Sequence, residues 1–271
     1  VVEGERYPRQ RGHYDRRGPL GRVMMLQSAA LHVNVDLGRR PLEAWRAANR
    51  LAPLLVALFA NSPRRCGASV PHRSHRAALW RRLDPTRTGL FDPPEGEARD
   101  PIQAYLDFAL DAEAFLLGPR DRRARPFREW WRAGTVGVDE FRRHLTTLFP
   151  EVRPRGYLEI RSIDALPARW CTVAGAVVTS LIHGPGAREA LLNRIPRATP
   201  DRLERAGRLG LGDRELLQEV RWLRDRVQDG LRELGPAVSD PSLQRTVTAF
   251  FDVFPRRGLD PGAAPESWMG S

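Results

Sequence analysis

The alternation of apolar and polar positions is sharpest in MMLQSAALHVNVDL, residues 24–37. A period of two predicts a strand, because successive side chains of an extended chain point to opposite faces. Met25, Gln27, Ala29, Leu31, Val33 and Val35 share one face, mostly apolar and suited to cover by helices. Leu26, Ser28, Ala30, His32, Asn34 and Asp36 share the other, which turns polar toward the end of the strand. A second strand is predicted over GYLEIRSID, residues 156–164. It sets Tyr157, Glu159, Arg161 and Ile163 on one face and Leu158, Ile160 and Ser162 on the other.

The rest of the periodicity is helical. Residues 41–60 carry Pro41 in the first turn and Leu42, Trp45, Ala48, Leu51, Leu55 and Leu58 near helical spacing; Pro53 is expected to kink or divide this helix. Residues 100–117 form a helix with Asp100 as N-cap and Pro101 at its first position. Shorter pieces follow at 126–133 and 138–148, then an apolar helix at 169–183. Helices are predicted at 186–194, 200–207, 213–234 and 240–254, and Leu216, Val220, Leu223, Val227 and Leu231 form the clearest single stripe. Residues 1–22 and 61–99 read as loop, and the Gly/Pro-rich tail after Pro255 reads as mobile. The fold class is α+β, with no internal repeat.

Composition removes several functions from consideration. No apolar run approaches the roughly 18 residues that cross a membrane. VVEGERYPRQ at the start has the pattern of neither a signal nor a transit peptide. Cys66 and Cys171 are the two cysteines, too few for a disulfide framework or a zinc site, which fits a reducing, cytoplasmic setting. The net charge of +11 raises nucleic-acid binding. All 44 basic residues are Arg, and they are scattered rather than stacked on one helix with interleaved aromatics, so nucleic acid is not an expected partner.

The chemistry concentrates in two dyads of i, i+2 spacing, His32 with Asn34 and Glu159 with Arg161. A carboxylate or guanidinium buried without a partner costs several kcal/mol. Such residues on a strand are therefore paired, exposed or facing a ligand, and spacing alone leaves all three open. Imidazole, amide and carboxylate donors together suit a hard divalent cation, Mg²⁺ or Mn²⁺. Arg161 beside such a cation suits a phosphoryl group, which its planar fork grips with two hydrogen bonds.

Six ordered blocks carry a resemblance. RYPRQ (6–10), MMLQSAALHVNVD (24–36), LFANSP (58–63), SHRAALWRRLDPTRTG (74–89), DPIQAYLDFALDA (100–112) and HLTTLFPEVRPRGYLEIRSID (144–164) resemble, in order and spacing, the glutamate–cysteine ligases of plants and of the actinobacterial ergothioneine pathway. Gln10 departs from the Met of the family's RYxxM, and His32 stands where close relatives often carry Gln. The resemblance implies a glutamine-synthetase-like fold, a curved antiparallel sheet covered by helices, with a catalytic core over 1–195 and a helical part over 196–271. It implies ATP and Mg²⁺ (or Mn²⁺) as cofactors and glutamate and cysteine as substrates, joined through γ-glutamyl phosphate.

By motif, Glu159 is implied as a catalytic metal ligand and His32 and Asn34 as metal or nucleotide-phosphate contacts. Arg161 would contact the transferring phosphoryl group. Arg76 would hold a substrate carboxylate, Arg6 and Tyr7 would line the glutamate site, and Arg87 would join the substrate-binding set. The family's first strands, with an acidic cluster, precede the RY motif, so the chain is expected to lack them, to bind metal weakly and to turn over little by itself. The alternatives are a ligase with another amine acceptor and a truncated, inactive paralogue that acts as a binding module.

Overall fold

The structure, a computed structural model, describes residues 6–96, 100–117 and 125–265. In chain order it begins with α1 (Arg6–Asp15), α2 (Leu20–Gln27), β1 (Ala30–Val35), α3 (Pro41–Leu58), β2 (Arg64–Arg65), β3 (Ala68–Ser69) and α4 (His75–Leu83). Then come α5 (Pro85–Thr88), α6 (Pro101–Asp111), α7 (Phe127–Arg132), α8 (Val138–Leu145), β4 (Val152–Pro154) and β5 (Leu158–Asp164). The helices α9 (Ala168–His183), α10 (Pro185–Arg194), α11 (Pro200–Leu209), α12 (Arg214–Leu234) and α13 (Pro241–Val253) follow. The mixture is α+β, as expected. Two compact units are present: Val1–Ser28 with Leu79–Pro150, and Ala29–Ala78 with Glu151–Ser271.

In the first unit, residues 6–15 and 20–27 are helical, which corrects two expectations. The entry is not loop, and the first strand starts only at Ala30. Burial decides this locally: Tyr14, Met24 and Leu83 form a cluster against which Leu20, Met25 and Trp80 pack. A helix gathers Leu20, Met24 and Met25 toward Tyr14, whereas an extended chain would send Met24 and Met25 to opposite sides. A second cluster joins Ala109, Ala112 and Leu148 with Phe108, Phe141 and Leu145.

The second unit holds a three-stranded antiparallel sheet in the order β1-β5-β4. β5 is central and buried along its whole length, while in β1 the even-numbered residues face solvent and Val35 is buried. The alternation read from the sequence is therefore kept from residue 30 onward. The β1–β5 register slips between Leu31 and Val33, opposite Arg161 and Ser162. α3 crosses this unit with almost every residue from Leu51 to Ala60 buried. Pro53 lies inside one continuous helix and does not divide it. Outside it, the predicted stripe of α12 is buried, with Leu216, Val220, Leu223, Val227 and Leu231 at 1% exposure or less. α12 lies so close to α9 that a Cβ on Gly230 would overlap the backbone carbonyl of Ser180.

The stretch 61–99 is more ordered than expected. It contains the β2–β3 hairpin, whose turn residues Cys66 and Gly67 both have positive φ (48° and 80°), then α4 and α5. Asp84 caps α5 through the Thr86 N–H. Part of the tail is also fixed: Pro255–Arg257 and Pro261–Ala263 are short 3₁₀ turns, and buried Asp260 accepts the Leu211 N–H at 3.1 Å. The final residues, 266–271, lie outside the described part.

Candidate functional site

Antiparallel pairing sets Asn34 of β1 and Arg153 of β4 directly opposite Glu159 of β5, one on each side. Residues opposite each other in a ladder share a face, so one row across the sheet reads Asn34, Glu159, Arg153. The two polar dyads expected from the sequence thus meet. His32 Nδ1 lies 3.4 Å from Glu159 Oε1, and Arg161 Nη1 donates to the same oxygen at 2.6 Å. Arg153 grips the carboxylate through Nε and Nη2, at 3.0 and 2.6 Å from Oε2, and Arg155 Nη1 stands 3.9 Å away. Sequence reasoning missed Arg153, because β4 is three residues long and ends in Pro154. The available signal was the alternation of Val152, Arg153 and Pro154 just before β5.

The surroundings of Glu159 are strongly cationic. Burial pushes the Glu159 carboxyl up, but the hydrogen bonds and charges of Arg153 and Arg161 hold it below the usual range. Burial, reinforced by Arg161 and Arg76, pulls the His32 imidazole down to about 4, so it is neutral at neutral pH. Burial and the neighbouring Arg153 bring Arg161 down to about 10, which still leaves it charged. The side chains of Arg153, Glu159 and Arg161 are 7–8% exposed; that of His32 is 36% exposed and opens the cluster to solvent.

Arg76, in the first turn of α4, joins this group from the side. Its Nη2 donates to the Arg161 carbonyl, and Nη1 lies 3.6 Å from Asp164 Oδ1. Asp164, buried at the end of β5, also accepts from the Asn61 N–H at 2.9 Å, Ser62 Oγ at 2.7 Å and Ser74 Oγ at 2.9 Å. Three motif blocks, LFANSP, the S-x-R segment and the strand E-x-R-x-x-D, therefore converge on one carboxylate.

The other expected site residues belong to the first unit. Arg6 and Tyr7 open α1; Arg6 Nη2 donates to the Thr146 carbonyl at 3.0 Å, and Tyr7 is exposed. Arg87 is completely buried. It donates through Nε to Asp84 Oδ2 at 2.6 Å, through Nη1 to Thr147 O and Oγ1 at 3.1 and 2.9 Å, and through Nη2 to the Glu113 carbonyl. Its guanidinium also covers the Phe115 ring at 4.6 Å. Buried His13 approaches Asp84 Oδ2 at 2.7 Å. Burial pushes the Asp84 carboxyl up, yet the His13 hydrogen bond and the Arg87 charge hold it well below its usual range. The sequence places Arg87 in a substrate-binding set; the geometry gives it a scaffolding role, with all three guanidinium nitrogens engaged inside the unit.

The fit to a divalent cation is poor. Both oxygens of Glu159 accept from guanidiniums, and three guanidiniums lie within 3.9 Å of this one carboxylate. A cation on the His32–Asn34–Glu159 group would meet that positive charge with its carboxylate ligand already taken. Among the described residues no group of three His, Cys, Asp or Glu side chains is arranged to hold a metal. A small oxyanion, in contrast, suits a neutral imidazole beside clustered arginines.

Comparison with known proteins agrees with these motifs. The sequence model of glutamate–cysteine ligase family 2 matches residues 1–249. The chain belongs to this family. Glutamate–cysteine ligase EgtA of Mycolicibacterium smegmatis is 33% identical over 234 residues, covering 80% of this chain and 54% of the relative. EgtA of Mycobacterium tuberculosis H37Rv is 36% identical over 220 residues, 73% of this chain and 49% of the relative. The chloroplastic glutamate–cysteine ligase of Arabidopsis thaliana is 30% identical over 252 residues, 85% of this chain and 45% of the relative. The chain spans about half the length of the curated family members it matches. No helix among the described residues is long and apolar enough to cross a membrane.

Proposed function

We propose that this chain contributes the phosphoryl-handling strands of an ATP-dependent glutamate–cysteine ligase. The γ-phosphoryl group of ATP passes to a γ-carboxylate oxygen of glutamate, releasing ADP and forming γ-glutamyl phosphate. The amine of cysteine then attacks the acyl carbon; the C–O bond to phosphate breaks, phosphate leaves, and the nitrogen loses a proton. The product is γ-glutamylcysteine, a precursor for low-molecular-weight thiols. Little covalent work falls to the protein, whose task is to position groups and compensate charge.

The observation that carries this reading is the meeting of His32, Asn34, Glu159 and Arg161 across β1 and β5, with Arg76 of α4 bonded to the Arg161 carbonyl, in a chain of this family. Arg161 is the residue for the transferring phosphoryl oxygens. Arg76, braced by Asp164, is the residue for a substrate carboxylate. His32, neutral and half-open to solvent, supplies one donor and one acceptor. Arg6 and Tyr7 are kept for glutamate on their motif. Residues 1–195 would make up the catalytic core, in a glutamine-synthetase-like fold whose sheet extends beyond these three strands, and 196–271 its helical part. The cofactors would be ATP with Mg²⁺ or Mn²⁺, the metal held by ligands other than the arginine-bound Glu159, and the setting would be cytoplasmic.

The test is ADP release in the presence of ATP, Mg²⁺, glutamate and cysteine. Release that needs glutamate and rises with cysteine is expected; release indifferent to both amino acids would sink the reading. Arg161→Met should lower the rate by at least about a hundredfold, the usual effect of removing a donor aimed at developing charge.

A further inference from the structure

Two residues of the C-terminal turn reach the segments that hold Arg76. Asp260, 1% exposed, accepts the Leu211 N–H at 3.1 Å just past the end of α11. Gly210 beside it has a positive φ of 55°, and a Cβ there would overlap Asp260 Oδ2 and crowd the Arg73 Cβ. The last carbonyls of a helix lack donors within it; those of α11 serve the start of α4 instead. Gly207 O accepts the Ser74 N–H at 2.9 Å and Arg208 O the Arg73 N–H at 3.3 Å. Two residues beyond Asp260, the Gly262 N–H donates to the Ala60 carbonyl at 2.8 Å, and a Cβ on Gly262 would stand 3.1 Å from that oxygen. The segments so reached are the ones that set the Arg76–Asp164 pair. The Asn61 N–H, Ser62 Oγ and Ser74 Oγ donate to Asp164. Ser62 Oγ also accepts the Arg76 N–H, and Ser74 Oγ the Ala77 N–H, both at 3.1 Å.

We propose that the C-terminal turn is a positioning element for Arg76: Asp260 and Gly262 clamp the two segments that orient Arg76 and Asp164, so that a part of the chain with no chemical motif sets the affinity for the carboxylate that Arg76 binds. The inference rests on the ligase reading only in taking that ligand as an amino-acid carboxylate. Asp260 touches no substrate; it acts through Leu211, the end of α11 and Ser74. Its other oxygen, Oδ1, is buried without a partner among the described residues, an arrangement that costs stability. An apolar side chain would fill the space without that cost. What Asp260 adds is the acceptor for the Leu211 N–H, and an amide of the same shape offers one too. Every residue of the clamp and of the Arg76–Asp164 pair belongs to the second unit.

The experiment compares Asp260→Ala and Asp260→Asn with the unaltered chain, by hydrogen exchange read in a mass spectrometer and by calorimetric titration with cysteine and with glutamate. Asp260→Ala should speed exchange at least about tenfold in peptides covering 60–62 and 73–78, with α9 unchanged, as loss of one buried hydrogen bond allows. It should also weaken binding of one of the two amino acids at least about fivefold. Asp260→Asn, which keeps an acceptor oxygen, should restore both. Gly262→Ala, which crowds the Ala60 carbonyl, should speed exchange at 60–62 and does not depend on Asp260→Ala folding. Unchanged exchange at these segments, or equal acceleration throughout the second unit, would overturn the proposal. So would amino-acid binding that Arg76→Lys weakens and Asp260→Ala leaves alone. Binding that survives Arg76→Lys, or that the unaltered chain does not show, would instead remove Arg76 from the substrate site, and the clamp then stands or falls on exchange alone.

Discussion

Removing the Arg87 guanidinium would leave Asp84 fully buried beside His13, with Thr147 and Glu113 carbonyls stripped of their donor. Deleting one partner of a buried ion pair typically costs about 3–5 kcal/mol. Arg87→Met is therefore expected to destabilise the first unit by that amount in urea unfolding, and a loss below about 1 kcal/mol would contradict the scaffolding role. Asp164 presents the same logic in the second unit. Its carboxylate accepts from Asn61, Ser62 and Ser74 and lies beside Arg76. Asp164→Ala should cost roughly 3 kcal/mol, because it strands several buried donors at once. Residue type and spacing marked His32 with Asn34 and Glu159 with Arg161 as two polar dyads, whereas Arg76 entered only through its motif. They did not separate Arg76 from Arg87, since two arginines in similar polar motifs differ only in what surrounds them after folding.

At the scale of elements, α12 and α9 meet at Gly230. Replacing Gly by Ala in an ordinary helix interior stabilises by roughly 1 kcal/mol. Here the new methyl would overlap the Ser180 carbonyl, so Gly230→Ala is expected to destabilise by about 1–3 kcal/mol, read from the urea midpoint. A gain would show that the helices can part. α12 itself was legible, because a long amphipathic stripe has one way to bury its apolar side. β5 was legible in position, although both its faces are buried. α1, α2 and β4 were not. The first two depend on the distant Leu83 and Trp80 for their packing, and β4 is too short to show a period. Of the kink or division expected at Pro53, the division does not occur; inside a helix lined by buried Leu51, Leu54 and Leu55, packing outweighs one missing N–H.

The molecule as a whole carries a pH dependence of defined sign. Burial lowers His13, His32, His144 and His183 below the ordinary value of 6.5, His144 to about 4. Between pH 6.5 and that range the unfolded chain binds protons that the folded chain refuses, so stability falls as the pH drops. His144 alone, buried against Phe127 and donating to the Ala109 carbonyl, accounts for about 2 kcal/mol by pH 5. Asp260 acts in the opposite sense: burial pushes it up to about 6 from 3.8, so the folded state holds its proton more tightly in that interval and stability there falls as pH rises. The histidines outnumber it, and melting temperature is expected to decline from pH 7 to pH 5, less steeply at the acid end than the histidines alone would give. A flat or rising profile would contradict the burial of His13 and His144.

The role proposed for His32, Asn34, Glu159, Arg161 and Arg76 is to handle a phosphoryl group in the ligation of glutamate to an amine. Its most direct test is ADP release from ATP and Mg²⁺, measured with and without glutamate and cysteine, for the unaltered protein and for Arg161→Met. Release, however slow, is expected to require glutamate, to rise with cysteine, and to drop at least about a hundredfold in Arg161→Met. Release independent of glutamate, or unchanged by Arg161→Met, would contradict it.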